Sequence, residues 1–329
     1  MKFLVIGGGS MGKRRIRCLM AGGVPADRIR LVDPRADRRE ESQSKYNVVG
    51  FADLQTAMQW NPATVLVCIA GEKAGEVSAI ALESGKNVFC EVPMGMTAAE
   101  ARRLGDLARR QGVLAAPGAQ QPFHPLVIQC RQWLRDPSFG KPLLFNLEWG
   151  QYMPGWHPYE DLGAFYSPGQ LLGVMNLELV QLYFITDDRI DQLKCRREKV
   201  SALATPGGDV YHAVGLTRNG MSVSLQFDLI QRPVRNTARF AGEQGTIEID
   251  FAADTIRRYL VAAKQWESVQ PPAGYVYEQC YIDEIAQLLR ALNGQAPWHN
   301  PISQAADAMA VLDAMQRNAS HADESVQAS

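Results

Sequence analysis

A chain of 329 residues with 46% hydrophobic content and a formal net charge of −1 is long enough for two domains, each with its own core. The near-zero charge offers no basic excess for nucleic acid, and no run reaches the roughly 18 apolar residues that a membrane span needs. The six cysteines, Cys18, Cys68, Cys90, Cys130, Cys195 and Cys280, lie far apart with no Cys-x-x-Cys pair; they read as reduced core residues, with no metal site or disulfide framework expected.

The first predicted element is a buried strand over residues 2–6. Its apolar core is too short for the hydrophobic region of a signal peptide, so a cytoplasmic location is expected. Gly7-Gly8-Gly9-Ser10-Met11-Gly12 follows and fits G-x-G-x-x-G. Gly7 serves the tight turn, Gly9 the close approach of a pyrophosphate, and Gly12 the packing of the next helix on the strand. That helix, through Ile16, Leu19 and Met20, aims its free amides, at Ser10 and Met11 among others, and its positive dipole end at the phosphate.

A second strand over residues 30–32 ends in Asp33, where a carboxylate holds the adenosine ribose hydroxyls. It also repels a 2′-phosphate, since two unit charges ~4 Å apart cost roughly 4 kcal/mol at an effective dielectric constant of about 20. NAD(H) is therefore favoured. NADP(H) stays possible, because Arg35 and Arg38 follow closely.

Helical and strand-like patterns then alternate as in a parallel sheet covered on both faces. Residues 63–70 are a valine- and isoleucine-rich run that brings Ile69 to the cofactor, 73–84 are helical, 87–90 a short strand, 97–111 a helix and 113–116 a last strand. The doubly wound (Rossmann) domain is expected to occupy residues 1–118, a substrate-binding and oligomerisation α+β domain 119–319, and a frayed tail 320–329. In the second domain, helices are expected over 125–135, 171–184, 278–293 and 302–317, with strands over 141–150, 210–217, 222–230, 237–242, 246–251 and 255–261. Their alternation predicts an open, largely antiparallel sheet. Apolar residues at alternate positions of 210–261 predict a face buried against another copy, giving a dimer or tetramer.

Gly85-Lys86-Asn87-Val88-Phe89-Cys90-Glu91-Val92-Pro93 and Gly242-Glu243-Gln244-Gly245-Thr246-Ile247-Glu248 resemble the G-K-H-V-x-x-E-K-P and G-x-x-G-T-x-E segments of the Gfo/Idh/MocA oxidoreductases. The stretch from Glu148 to Asp161, with Gly150, Tyr152, Pro154, Trp156, His157 and Pro158, resembles the G-x-Y-x-P-x-W-H-P segment of members that serve surface-polysaccharide or nonulosonic-acid pathways. The resemblance implies NAD-linked oxidation or reduction of a sugar or nucleotide-sugar, with Glu91 and Pro93 beside the cofactor. It also exposes a gap: the family's lysine position is Val92, its aspartate Gly173, its helix histidine Leu177, and the arginine before the F-H-P element Pro122.

Another group must carry the proton, and His124, His157 and Tyr159 are the candidates, with Tyr152 and Tyr166 behind them; His212 reads as structural. Two alternatives stand beside the enzyme reading: an inactive NAD-binding sensor or scaffold, and a biliverdin-reductase-like reductase of a non-sugar substrate. No nucleic acid or membrane partner is expected.

Overall fold

The computed structural model describes residues 1–69, 71–156, 168–205 and 208–317. Two compact units emerge, and neither is one continuous stretch. The first comprises Met1–His124, Leu172–Gln181 and Tyr275–Met309; the second comprises Pro125–Leu171, Leu182–Gly274 and the chain from Ala310.

The first unit is built on a six-stranded parallel sheet. Its strands are β1 (Phe3–Ile6), β2 (Ile29–Val32), β3 (Gly50–Phe51), β4 (Thr64–Val67), β5 (Asn87–Cys90) and β6 (Ala115–Pro117), in the order β3-β2-β1-β4-β5-β6. β1 and β4 read FLVI and TVLV and are buried at every position, as a sheet covered on both faces requires. The crossover helices are α1 (Ser10–Ala21), α2 (Ala36–Tyr46), α3 (Leu54–Met58), α4 (Glu72–Glu83) and α5 (Ala98–Gln111). Alternate strand residues feed two apolar clusters. Leu4, Ile6, Val65 and Val67 meet Leu82 and Leu104 on one side, while Phe3, Val5, Leu31 and Leu66 meet Ile16, Leu19, Ile285 and Leu288 on the other.

The second unit carries an eight-stranded sheet of β7 (Pro142–Gly150), β8 (Ile190–Glu198), β9 (Val210–Thr217), β10 (Ser222–Asp228), β11 (Arg235–Gly242), β12 (Gly245–Asp250), β13 (Thr255–Leu260) and β14 (Gln265–Val269). The order is β14-β13-β12-β11-β7-β10-β9-β8, with β7 and β10 parallel and the other neighbours antiparallel. The remaining α-helices among the described residues are α6 (Pro125–Leu134), α7 (Met153–Trp156), α8 (Pro168–Thr186), α9 (Glu278–Leu292) and α10 (Ile302–Arg317). No helix among the described residues is long and apolar enough to cross a membrane.

One expectation about this sheet is corrected. The alternating apolar residues, among them Phe145, Leu147, Val223, Leu225, Phe240, Ile247, Ile249 and Ile256, are buried, and α6 packs against β12 and β13. The residues between them are polar: Asn146, Glu148, Ser224, Gln226, Thr237, Arg239, Glu248 and Arg257 line one broad depression of about 750 Å³. Ion pairs Arg235–Glu148 at 3.1 Å and Arg257–Glu248 at 2.6 Å cross it. On β7, β10, β11 and β12 the period-two pattern marks a core face covered within the chain, whereas on β9 Val214 and Leu216 stand exposed at 56% and 40%.

Candidate cofactor and substrate site

The glycine loop joins β1 to α1, and each glycine has a measurable reason to be one. Gly7 sits at φ +95° and donates its amide to Val32 O at 2.8 Å, a conformation that side chains resist. A Cβ on Gly12 would lie 1.7 Å from Gly7 O, whereas one on Gly9 would meet nothing nearer than Arg38 Nη1 at 3.9 Å. The helix thus presses onto the strand at Gly12 and leaves open space at Gly9. α1 starts with no side-chain cap and no acidic residue in its first turn, so its amide groups and dipole are available to an anion. Ile69 packs on the loop, its Cγ2 falling 2.7 Å from a Cβ placed on Gly7.

Asp33 closes β2 with its carboxylate only 2% exposed. Oδ2 accepts from Gly8 N at 2.7 Å and from Arg38 Nη1 at 3.2 Å; Oδ1 accepts from Arg35 N at 2.9 Å. Burial works to raise its pKa, but the Gly8 and Arg35 amides and Arg38 outweigh it and hold the carboxyl below its usual range. It is therefore ionised at neutral pH and steadies the loop it faces. Arg35 reaches Asp33 through its amide alone, since its guanidinium pairs with Asp37 at 2.6 Å. Arg38 is the arginine that offsets the Asp33 charge, and the repulsion expected against a 2′-phosphate is weakened accordingly. The open space at Gly9, the uncapped helix start and the carboxylate at the end of β2 fit a dinucleotide's diphosphate and ribose.

Behind the loop lies a buried ionic triad that sequence reasoning did not foresee. Arg15, fully buried, pairs through Nε with Glu91 Oε1 at 2.5 Å and through Nη1 with Glu284 Oε2 at 2.6 Å. Its guanidinium lies 4.6 Å from the centre of the Phe89 ring and 5.1 Å from that of Tyr281. Glu284 Oε1 in turn accepts the Ala119 amide at 2.5 Å. Glu91 is thus neither a solvated strand end nor bare; it anchors the turn that continues through half-buried Val92 and buried Pro93.

The same unit gathers a second set of polar groups beyond β6. Gln120 Nε2 donates to Tyr277 Oη at 3.4 Å, and His124, 3% exposed, packs edge-on against Tyr275 and at a tilt against Tyr277 with ring centres 5.3 and 5.7 Å away. From α8, Glu178 accepts from Gln121 Nε2 at 3.5 Å and from Gln181 Nε2 at 3.4 Å. Asn176, 1% exposed, has no hydrogen-bond partner for either amide atom among the described residues. His299 meets Ala119 O at 2.9 Å and packs on Phe123 and Trp298; burial pushes its pKa down to about 4 against that bond, so it is neutral.

Residues 1–119 match the sequence model described as the Gfo/Idh/MocA oxidoreductase family, NAD-binding Rossmann fold. Over those residues the chain is similar to the NAD-binding domain of that family. Inositol 2-dehydrogenase of Salmonella typhimurium is 20% identical over 308 residues, covering 92% of this chain and 89% of the relative. Trans-1,2-dihydrobenzene-1,2-diol dehydrogenase of Bos taurus is 27% identical over 276 residues, covering 77% and 74%. The fold is also that of levoglucosan dehydrogenase in complex with NADH, with a TM-score of 0.87 over 97% of this chain and 96% of that one at 15% identity. Residues 1–119 are thus an NAD-binding Rossmann domain, and the fold of the rest is shared with the dehydrogenase structure.

Within this domain the structure brings together Gly7, Gly9, Ser10, Met11, Gly12, Asp33 and Ile69, with Glu91 and Pro93 at the end of β5. His124 belongs to the second polar set, whereas His157, Tyr159 and Tyr166 lie outside the described residues. His212 is exposed on β9. Glu178 went unnoticed, although it is the single charged residue between positions 171 and 185. An isolated charge in an otherwise apolar helix was the available signal.

Proposed function

We propose that the chain is an NAD(H)-dependent dehydrogenase that interconverts a ring secondary alcohol and its ketone on a sugar, a nucleotide-sugar or a related polyol. The observation that carries this is the polar set of Gln120, Gln121, Asn176, Glu178 and Gln181 in the same compact unit as the glycine loop. Side-chain amides both donate and accept, as hydroxyl-rich substrates require. A buried amide without partners among the described residues, as at Asn176, calls for a ligand or water to satisfy it. The names of the relatives support the class, since inositol, levoglucosan and dihydrobenzenediol all carry secondary hydroxyls on a ring.

When bound, the nicotinamide supplies the hydride acceptor or donor. The chain holds its diphosphate at the loop and its ribose at Asp33, and must move the accompanying proton without a lysine at position 92. The sequence offers His124, His157 and Tyr159 for that task. The W-H-P segment supports a surface-polysaccharide setting. Self-association is proposed through the polar, ion-paired depression of the second sheet, and size-exclusion chromatography at two salt concentrations tests it.

The test of function is turnover. Purified protein should bind NADH and reduce or oxidise at least one of a panel of cyclitols, keto-sugars and nucleotide-sugars. His124→Asn should slow it by about 10² or more if the imidazole moves the proton. One observation favours a second reading, an NAD-binding sensor or scaffold: Val92 and Leu177 are apolar where the family resemblance expects proton-carrying groups. NADH binding with no turnover across the panel would select it.

A further inference from the structure

α8 is apolar for most of its length, so the burial of Glu178 to 2% exposure needs a reason. A carboxylate taken out of water loses several kcal/mol of hydration, and proteins retain such groups where they are used. Two of the groups that hold it are neutral amides, Gln121 Nε2 at 3.5 Å and Gln181 Nε2 at 3.4 Å. Both bonds are at the long limit, and the two amides on either side fix the direction in which the carboxylate points. Gln121 itself keeps a buried Oε1 with no partner among the described residues.

Tyr277 completes the arrangement. Desolvation at the hydroxyl foremost, then Tyr281, raises its phenol, with Glu178 the smallest contribution, although the residue as a whole is 44% exposed. Tyr277 therefore stays protonated and can donate a hydrogen bond, while Glu178 can accept a proton. Donor and acceptor lie in the unit that carries the glycine loop.

We infer that Glu178 is the catalytic base of this chain and that Gln121 and Gln181 are its positioning residues. In the oxidative direction the O–H and C–H bonds of one carbinol break and a C=O bond forms. The carbinol hydrogen leaves with its electron pair for the oxidised nicotinamide, and the hydroxyl proton goes to Glu178 and then to solvent. Reduction runs the same steps backwards, with the protonated carboxyl as acid. This rests on the dehydrogenase reading above.

The experiment compares wild type with Glu178→Gln, Glu178→Asp and Gln121→Leu, using the polyol that the panel selects. NADH affinity and melting temperature report the fold. Turnover is followed as kcat/KM against pH, and proton exchange on polyol binding is measured by calorimetry in buffers of different ionisation enthalpy. Glu178→Gln should bind NADH as wild type does and lose about 10² to 10⁴ in kcat. It should also lose both the rise of kcat/KM with pH and the buffer-dependent heat. Glu178→Asp should keep the rise at a lower rate, and Gln121→Leu should shift it.

Wild-type turnover with an unchanged rate and pH profile in Glu178→Gln would overturn the assignment and leave the dehydrogenase reading intact. So would a parallel loss of NADH affinity, which would make the residue structural. If Glu178→Gln does not fold, an unshifted pH profile in Gln121→Leu overturns it. A wild type that binds NADH yet neither binds nor converts any polyol overturns both.

Discussion

Replacing Arg15 with Met tests what the buried triad does for the nucleotide-binding unit. The guanidinium is fully buried, and its two ion pairs span 2.5 and 2.6 Å. Each opposite-charge contact is worth about 4 kcal/mol at ~4 Å and an effective dielectric constant of 20. Removing the cation leaves Glu91 and Glu284 as unpaired neighbours. The loss is capped because a carboxylate so placed takes up a proton instead, at about 1.36 kcal/mol per unit of pKa shift. Breaking a buried pair by removing one partner costs about 3–5 kcal/mol, hence on the order of 6–20 °C in Tm at roughly 2–4 °C per kcal/mol.

The pH dependence gives a second signature. Burial first, and Glu91 after it, already push the Glu284 carboxyl up, with Arg15 pulling it back. A native pKa above the unfolded one makes the stabilising contribution complete below the unfolded value and lost as pH rises through the folded value. Without Arg15 that window moves upward, so Arg15→Met should gain stability on acidification from pH 8 towards 5 relative to wild type. Arg15→Met/Glu284→Gln should recover most of the loss, since one buried charge then remains instead of two. Urea midpoints at several pH values decide it: an Arg15→Met midpoint equal to wild type, or a parallel pH slope, would refute the reasoning.

Gly12→Ala should abolish NADH binding measured by fluorescence, because its Cβ would fall 1.7 Å from Gly7 O. Asp33→Ser should weaken NAD by about 1–3 kcal/mol, the cost of leaving a buried donor such as the Gly8 amide poorly satisfied, and narrow the gap to NADP. Arg38→Ala should widen that gap in calorimetry. His299, held near a pKa of about 4 by burial, contributes stability above its unfolded value that is lost as pH falls towards 4. His299→Gln should flatten that limb of an acid titration, by at most about 3 kcal/mol. Thr97→Ala removes the hydroxyl that accepts the Glu100 amide at 3.1 Å at the start of α5; it should cost about 1 kcal/mol in a urea titration and leave NADH affinity untouched.

The nucleotide half was legible because its cues are local. A buried strand, three glycines at fixed spacing and an acid closing the next strand all lie within Phe3 to Asp33, and each answers to backbone geometry or charge. The central strands of the second sheet were legible for a related reason: β10, β11 and β12 alternate buried and exposed side chains. Its outer strands were not. β8 and β14 lie at the two edges and read IDQLKCRRE and QWESV, polar on both faces, so no period marks them. Outside β9, where Val214 and Leu216 are exposed, the face exposed by the sheet was misjudged because alternation tells which residues share a side but not which side a helix covers. Arg15, Glu178 and Glu284 escaped because partners such as Glu91, Gln121 and Ala119 lie 57 to 269 positions away in sequence, a separation that spacing rules do not reach.

The nucleotide-binding unit is stitched from three pieces, and the last of them begins at Tyr275. A fragment ending near residue 124 would keep every glycine and Asp33, yet it would bare Phe3, Val5, Ile16 and Leu19, which Ile285 and Leu288 cover in the intact chain. On the ribosome the first half must therefore wait, greasy and half-clothed, until its far end has been made. Evolution can lengthen or redecorate the intervening stretch at small entropic expense, because closing a loop grows only logarithmically dearer with its length. Cutting the protein at its obvious seam would yield an insoluble fragment, not a smaller coenzyme binder.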